Sequence, residues 1–215
     1  MALDEILFEE SELTGVGFLR LSVFNPAAAT LGYFQTSKNR DLSDSSWTRR
    51  PTGGGIVEHQ GDLILSLSHL WPQKRKQASL VYQQIHEALR RALAAVTANP
   101  DLSLVENCPP CSSKANESYC FKSPVQYDIC SPQGKIVGGA LGRKRKAFLY
   151  QGAIRVDELL SSVSTRDTFQ KHVGEVLKNI WDVSYEENTF SQEQKSRAEE
   201  LEKNKYLTPA WKGKY

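Results

Sequence analysis

No apolar run in this 215-residue chain reaches the roughly 18 residues that a bilayer-crossing helix needs. That sets aside a channel, a transporter or a helix-anchored enzyme, and no membrane partner is expected. The opening MALDEILFEE carries acids where a secretory leader would carry Lys or Arg, so the expected compartment is the cytoplasm. Cysteine is scarce. Four thiols without a secretory leader read as reduced cysteines and not as a disulfide framework. No charge sign dominates either. The 27 basic and 25 acidic residues leave +2, too little to impose nucleic acid or an anionic surface as a partner. Repeats and low-complexity tracts are absent.

What remains is a composition of 40% hydrophobic and 24% charged residues, the balance of a chain with a real core. The length fits a single domain over 1–215. Leu3, Ile6 and Leu7 open at helical spacing, and Gly15 and Gly17 break the pattern before GFLRLSVF, where alternation predicts a strand ended by Asn25-Pro26. The polar stretch from Thr36 to Trp47 is expected to be an exposed loop. RRPTGGGIVEHQGDLILSLS then places glycine breaks beside apolar stretches, with Leu63, Leu65 and Leu67 on one face, and reads as a hairpin.

Val81, Ile85, Leu89, Leu93 and Val96 recur at steps of three or four and predict an amphipathic helix over 78–96, with Glu87, Arg90 and Arg91 outward. A long loop is expected from Asn99 to Ser118, and several short strands across FKSPVQYDICSPQGKIVGGALGRKRKAFLYQGAIRV. Two helices should close the chain. One spans about 166–181 with Phe169, Val173, Leu177 and Ile180 on one face; the other starts at Ser191, where Gln194 completes a capping box, and runs to about Tyr206.

Chemistry concentrates in a few places. Gly53, Gly54 and Gly55 follow Arg49, Arg50 and Thr52, and would let backbone N–H groups approach an anionic or carbonyl-bearing ligand. A glycine triplet alone is as readily a flexible loop, and this one lacks the Gly-Lys-Ser/Thr ending of a P-loop. Cys120 in SYCFKSP is a candidate nucleophile if a cation such as Lys135 or protonated His59 lowers a thiol pKa of about 8.5; most such cysteines are structural. His59 could orient a thiol or ligand, and Lys135 in QGKIVGG could meet a reacting carbonyl, though spacing decides neither. Cys108 and Cys111 have CxxC spacing. Nine residues separate Cys120 from Cys130 and no histidine lies near, which argues against a metal site, and no thioredoxin-like pattern surrounds them. Arg143, Lys144, Arg145 and Lys146 form a basic run that could meet phosphate or an acidic carrier protein, or simply be solvated; no second stripe with aromatics points to nucleic acid.

Taken in order, these segments resemble the biotin/lipoate A/B protein ligase family over nearly the whole chain. MALDEILFEE resembles its opening helix, and LRLSVFNPAAATLGYFQ its first strand with a Leu-Gly-Tyr-Phe-Gln type segment. RRPTGGGIVEH is similar to the arginine, triple-glycine and histidine signature, GKIVGGALGRKRKAFLYQGAI to the lysine motif, and AEELEKNKYLTPAW to the end of the catalytic domain. The resemblance implies an α+β fold, a mixed, largely antiparallel sheet flanked by helices, with an acyl tunnel beside the glycine loop. Lys135 would contact the acyl carbonyl. Arg49, Arg50, Thr52 and Gly53 to Gly55 would line the pocket, His59 its edge, and Gly138, Gly139 and Ala140 the opposite wall.

CFKSP stands fifteen residues before Lys135 and resembles the nucleophile loop of cysteine-dependent octanoyltransferases and amidotransferases. The implied activity is acyl transfer through Cys120, with no cofactor, from an acyl carrier protein or a lipoylated protein to a lipoyl domain or a glycine-cleavage carrier protein. The alternative is an ATP-dependent lipoate ligase using Mg²⁺ and lipoate, which the expected absence of a C-terminal accessory domain weakens. A third reading is a relative that only binds carrier proteins. Biotin ranks lower as cargo. Leu141 stands where relatives commonly carry glutamine, and Tyr150-Gln151 replaces a pairing that includes histidine; both bear on the expected polarity of the pocket.

Overall fold

A computed structural model of the chain describes residues 1–24, 27–37, 46–71, 77–97, 101–106, 121, 123–155 and 163–214. In chain order the strands are β1 (Phe18–Val23), β2 (Ala28–Leu31), β3 (Ser46–Arg49), β4 (Ile56–His59), β5 (Leu63–Leu70), β6 (Ser103–Leu104), β7 (Ile129–Ser131), β8 (Gly134–Lys144) and β9 (Ala147–Ile154). The helices are α1 (Ala2–Thr14), α2 (Ala78–Thr97), α3 (Val163–Trp181), α4 (Gln192–Leu201) and α5 (Pro209–Lys212). Six strands form an antiparallel sheet in the order β1-β5-β9-β8-β7-β6, and three form a small mixed sheet in the order β3-β2-β4. The fold is therefore the expected mixed, largely antiparallel α+β arrangement flanked by helices.

The two faces of the large sheet do different jobs. Leu65 and Leu67 of β5, Val137 of β8 and Phe148 and Tyr150 of β9 meet Ile85, Leu89 and Leu93 of α2 and Phe169, Val173 and Leu177 of α3 in the main core. Removing this much apolar surface from water, at about 25 cal/mol per Å², is what holds the two long helices against the sheet. On the opposite face α1 packs Phe8 on Ala147 and Leu149, and the small sheet packs Val57 on Ile64 and Ala153. The space between α1 and the small sheet becomes the candidate site.

Several elements differ from the sequence reading. Trp47 lies in β3, not in a loop, because β3 runs parallel to β2. β4 and β5 do not form a hairpin: β4 pairs with β2, β5 with β1 and β9, and Gly61 at φ 93° lets the chain cross between sheets. The glycine-rich stretch after 128 holds one short strand, β7, and two long ones, β8 and β9, where several short strands were expected. Its glycines sit inside strands because the Tyr150 ring lies over them; a Cβ at Gly139 or Gly152 would come within 2.5 and 2.2 Å of that ring or its hydroxyl. The capping box at Ser191 and Gln194 starts α4, which ends in a π-helical turn over Glu202–Tyr206 before α5.

Among the described residues no helix is long and apolar enough to cross a membrane.

Candidate active site

Between α1, the small sheet and the β8–β9 hairpin opens a cleft of about 390 Å³, counting the part open to solvent. Its apolar lining is Met1, Phe24, Val57, Ile64 and Ala153; Gly54, Gly138, Gly139, Ala140 and Gly152 add backbone and small side chains. Thr30, Arg50, His59 and Gln151 supply polar groups. A narrow apolar space with a few convergent polar groups suits a chain-like ligand with one polar end.

The arginine and glycine motif folds on itself. Arg50 donates from Nη2 to the carbonyls of Gly53 (2.9 Å) and Gly55 (2.8 Å), and from Nη1 to the Thr30 carbonyl (3.0 Å) and hydroxyl (2.7 Å). The Thr30 hydroxyl also lies 2.8 Å from His59 Nε2, and His59 Nδ1 lies 3.2 Å from Asp62 Oδ2, so one chain of polar contacts runs from Arg50 to Asp62. Gly54 adopts φ 86°, which glycine tolerates without strain. Thr52 donates to the Gln151 side-chain oxygen at 2.8 Å, tying the loop to β9.

Arg49 points elsewhere. Fully buried, it donates to the carbonyls of Gly32, Tyr33 and Gln35 and to those of Trp211 and Lys212, while the Trp211 indole donates back to the Arg49 carbonyl. It clamps the C-terminal segment to the small sheet and does not line the cleft.

Beneath the cleft, Gln151 Nε2 donates to Asp4 Oδ2 at 2.6 Å, and Arg20 Nε donates to Asp4 Oδ1 at 2.9 Å. Burial alone would raise the Asp4 carboxyl, but the Arg20 charge, the N-terminal ammonium and the donors from Arg20 and Gln151 outweigh it and hold it below its usual value.

Lys135 reaches the site through an irregularity. In the β7–β8 ladder Cys130 pairs with Lys135 and Ile129 with Val137, so Ile136 is an extra residue. This β-bulge sends both Ile136 and Val137 to the main core. Lys135 instead leaves the sheet on the side of Cys130, the side that Gly138 and Ala140 share with the cleft. Its ammonium meets Asp128 Oδ2 at 2.7 Å, with 1% and 0% of the two side chains exposed, and lies 5.4 Å from the Phe121 ring centre. Nearby His86 is held neutral: burial first, then the Lys135 charge, lowers it to about 3. The Cys130 thiol is pushed up by burial and by Asp128, against the pull of Lys135, which suits a resting thiol better than a nucleophile.

Of the residues singled out from sequence, Arg50, Gly54, His59, Gly138, Gly139 and Ala140 meet at the cleft. Thr52, Gly53 and Gly55 stand one bond behind it, and Lys135 sits past its edge. Cys120, Cys108 and Cys111 lie outside the described residues. Phe121, the residue after Cys120, packs against Val57, Ile64 and Ala153. Leu141 faces the main core, not the cleft. In the basic run Arg143 stacks on Trp71 with 4.4 Å from guanidinium carbon to ring centre, and Lys144 pairs with Glu9 at 3.4 Å. Among the described residues no His, Cys, Asp or Glu cluster is placed to hold a metal ion.

Sequence reasoning missed Asp4, Thr30, Asp62 and Asp128, while Gln151, noted there for pocket polarity, does line the cleft. Asp4 and Asp62 look like ordinary helix and turn acids, and only their burial marks them.

Residues 1–199 match the lipoyl protein ligase A/B catalytic domain. The chain is 32% identical over 171 residues to the octanoyltransferase LipM of Kyrpidia tusciae, covering 73% of this chain and 61% of that relative's length. Among solved structures it is similar to lipoate-protein ligase A bound with ATP (23% identity, TM-score 0.75, 98% of this chain and 91% of that one). It is also similar to the bipartite lipoate protein ligase of Thermoplasma acidophilum (21% identity, TM-score 0.71, 98% of this chain and 89% of that one). At these identities the structures speak for the fold.

Proposed function

Since the chain belongs to the lipoyl protein ligase A/B catalytic domain family, we propose that it is an acyltransferase of protein lipoylation working through a thioester on Cys120. The donor is an octanoyl-loaded acyl carrier protein or a lipoylated protein. The acceptor is a lysine of a lipoyl domain or of a glycine-cleavage carrier protein.

One observation carries this reading beyond kinship. Phe121, next to Cys120 in the chain, packs on three residues of the cleft while the Lys135 ammonium lies 5.4 Å from its ring centre. A described aromatic adjoining Cys120 in sequence and a buried cation thereby meet beside the apolar cleft, which supports the reading. The octanoyltransferase name of the curated relative agrees with such chemistry.

In the first half-reaction the Cys120 thiolate attacks the donor's acyl carbonyl; a carbon–sulfur bond forms, and the donor's thiolate (or lysine amine) leaves and takes up a proton. In the second the neutral amine of the acceptor lysine attacks the acyl-enzyme. The new amide forms, Cys120 leaves as thiolate, and the amine's surplus proton passes to solvent or a base. Lys135 and backbone N–H groups of the glycine loop stabilise the oxyanion in both steps. Arg50, Gly54, His59, Gly138, Gly139 and Ala140 shape the acyl channel, Thr52, Gly53 and Gly55 hold the loop from behind, and Arg49 anchors the C-terminal segment to the small sheet. No cofactor enters this scheme.

The test is incubation with octanoyl-loaded acyl carrier protein without ATP, read by intact-mass spectrometry beside Cys120→Ser. A Cys120-dependent, hydroxylamine-labile octanoyl adduct is expected. If none forms, while lipoate with Mg-ATP supports modification of a lipoyl domain by wild type and Cys120→Ser alike, the chain is an adenylating ligase. If neither of these donors nor a lipoylated protein is used, it only binds carriers.

A further inference from the structure

Asp128 stands where three parts of the site meet, and the acyl-transfer scheme above leaves it without a task. Its Oδ2 accepts from the Lys135 ammonium at 2.7 Å and from the Val125 backbone N–H at 2.7 Å. Its Oδ1 accepts from the Tyr82 hydroxyl, also at 2.7 Å. The Tyr82 oxygen in turn accepts the Gly139 N–H at 3.0 Å, and Gly139 lines the cleft. One carboxylate therefore joins the lysine, the segment leading out of Phe121 and the cleft wall.

The backbone is bent to make this junction. Tyr127 adopts φ 70°, a left-handed conformation that bulky residues avoid. It is held there on both sides: the Tyr127 N–H donates to the Val105 carbonyl at 2.7 Å, and the Val105 N–H donates to the Asp128 carbonyl at 2.9 Å. Strain of this kind persists only where its surroundings over-determine it. Here it accompanies a carboxylate that is wholly buried, and the bulge at Ile136 brings Lys135 to the same side of the sheet.

Tyr82 suits the connecting role. Its hydroxyl sits at the edge of β8 beyond the end of β7, where Gly139 would otherwise present an open N–H. Its ring stacks on His86 with centroids 4.0 Å apart, and His86 bonds the Tyr150 hydroxyl at 2.8 Å, so the phenol has little freedom to turn. Burial, followed by the proximity of Tyr150 and Asp128, raises its ionisation well above the ordinary tyrosine value, so it remains a donor to the carboxylate.

We propose that Asp128 and Tyr82 are positioning residues for acyl transfer: Asp128 fixes the Lys135 ammonium, and Tyr82 ties that carboxylate to the Gly139 backbone in the cleft wall. The inference rests on the acyl-transfer reading and deepens it. An acyl chain lying along Gly138 to Ala140 and the cation that meets its carbonyl are kept in one register by two side chains, neither of which touches the acyl chain. A fault in register weakens the interaction with the developing oxyanion, not the hold on the donor.

The test compares wild type, Tyr82→Phe and Asp128→Asn in octanoyl-adduct formation from octanoyl-loaded acyl carrier protein, with quenched samples read by intact mass across donor concentrations. The rate constant at saturating donor is expected to fall about ten-fold or more in each variant, the loss that follows removal of a charge-assisted hydrogen bond. The half-saturating donor concentration should stay within about two-fold of wild type. Tyr82→Phe keeps the ring volume and decides the matter if Asp128→Asn fails to fold. Wild-type rates in Tyr82→Phe, or a raised half-saturation point at an unchanged limiting rate, would overturn the positioning role and leave the acyl-transfer reading standing. No adduct with wild type from octanoyl-loaded acyl carrier protein or from a lipoylated protein would instead sink the acyl-transfer reading, and this inference with it.

Discussion

A Cβ added to Gly32 would lie 1.9 Å from the carbonyl oxygen of Gly54, so the glycine loop rests directly on the backbone of the Leu-Gly-Tyr-Phe-Gln segment. The contact is reinforced by the Gly32 N–H donating to the Gly55 carbonyl at 3.1 Å. Gly32→Ala must therefore push the loop outward and break the two loop carbonyls away from Arg50. We expect octanoyl-adduct formation to drop about ten-fold or more, with a stability loss of roughly 1–3 kcal/mol typical of overpacking. Intact-mass kinetics and a thermal melt check the two effects separately.

Arg49 is the second arginine of interest because it serves the fold and not the ligand. Lysine at this position keeps the charge but cannot spread donors over carbonyls from two separate segments. Arg49→Lys is expected to cost about 3 kcal/mol or more, since buried carbonyls lose charge-assisted partners, and to loosen the segment after Leu207. Limited proteolysis should then clip near Trp211 in the variant under conditions that leave wild type intact.

Stability should depend on His86 at mildly acidic pH. In the unfolded chain this imidazole titrates near 6.5, whereas burial and the Lys135 charge lower it to about 3 in the fold. Between those values the unfolded state binds the extra proton, so the stabilisation is complete above 6.5 and is lost as pH falls through that window. Urea midpoints measured from pH 8 to pH 5 should decline in wild type and decline less in His86→Gln. Equal slopes would remove His86 as the cause.

Helices were the most legible part of the chain, since Val81, Ile85, Leu89 and Leu93 announce a buried face by spacing alone and are all buried. Strand partners were not. Nothing local to RRPTGGGIVEHQGDLILSLS shows that β4 and β5 belong to different sheets, because pairing is a non-local choice. The glycines of β8 and β9 misled for a related reason: they were read as breaks, while the lack of a side chain at Gly139 and Gly152 accommodates the Tyr150 ring of β9.

The site divides along the same line. Arg50, Gly54 and His59 sit close in sequence and meet at the cleft, as motif reading expects. Lys135 shows the limit of alternation: counting by twos from Val137 puts it on the core side, and only the bulge reverses that. Asp4, Asp62 and Asp128 were illegible because an acid's burial depends on partners supplied by Arg20, His59 and Lys135, far away in the chain or across a turn.

Leu141 offers a sharp comparison with its neighbour. It stands where the resembling family commonly carries glutamine, which from sequence bears on pocket polarity. In the fold Leu141 pairs with Tyr150 and packs on the main core, while Ala140 pairs with Gln151 and lines the cleft. Adjacent residues of a strand face opposite ways, so the same substitution should have opposite signatures at the two positions. Leu141→Gln should leave octanoyl-adduct formation within about two-fold of wild type and lower stability by roughly 1–3 kcal/mol through a partly buried amide. Ala140→Gln should fold normally but lose adduct formation, because the longer side chain enters the acyl channel. Loss of transfer in Leu141→Gln at unchanged stability would mean that β8 is turned the other way at this point.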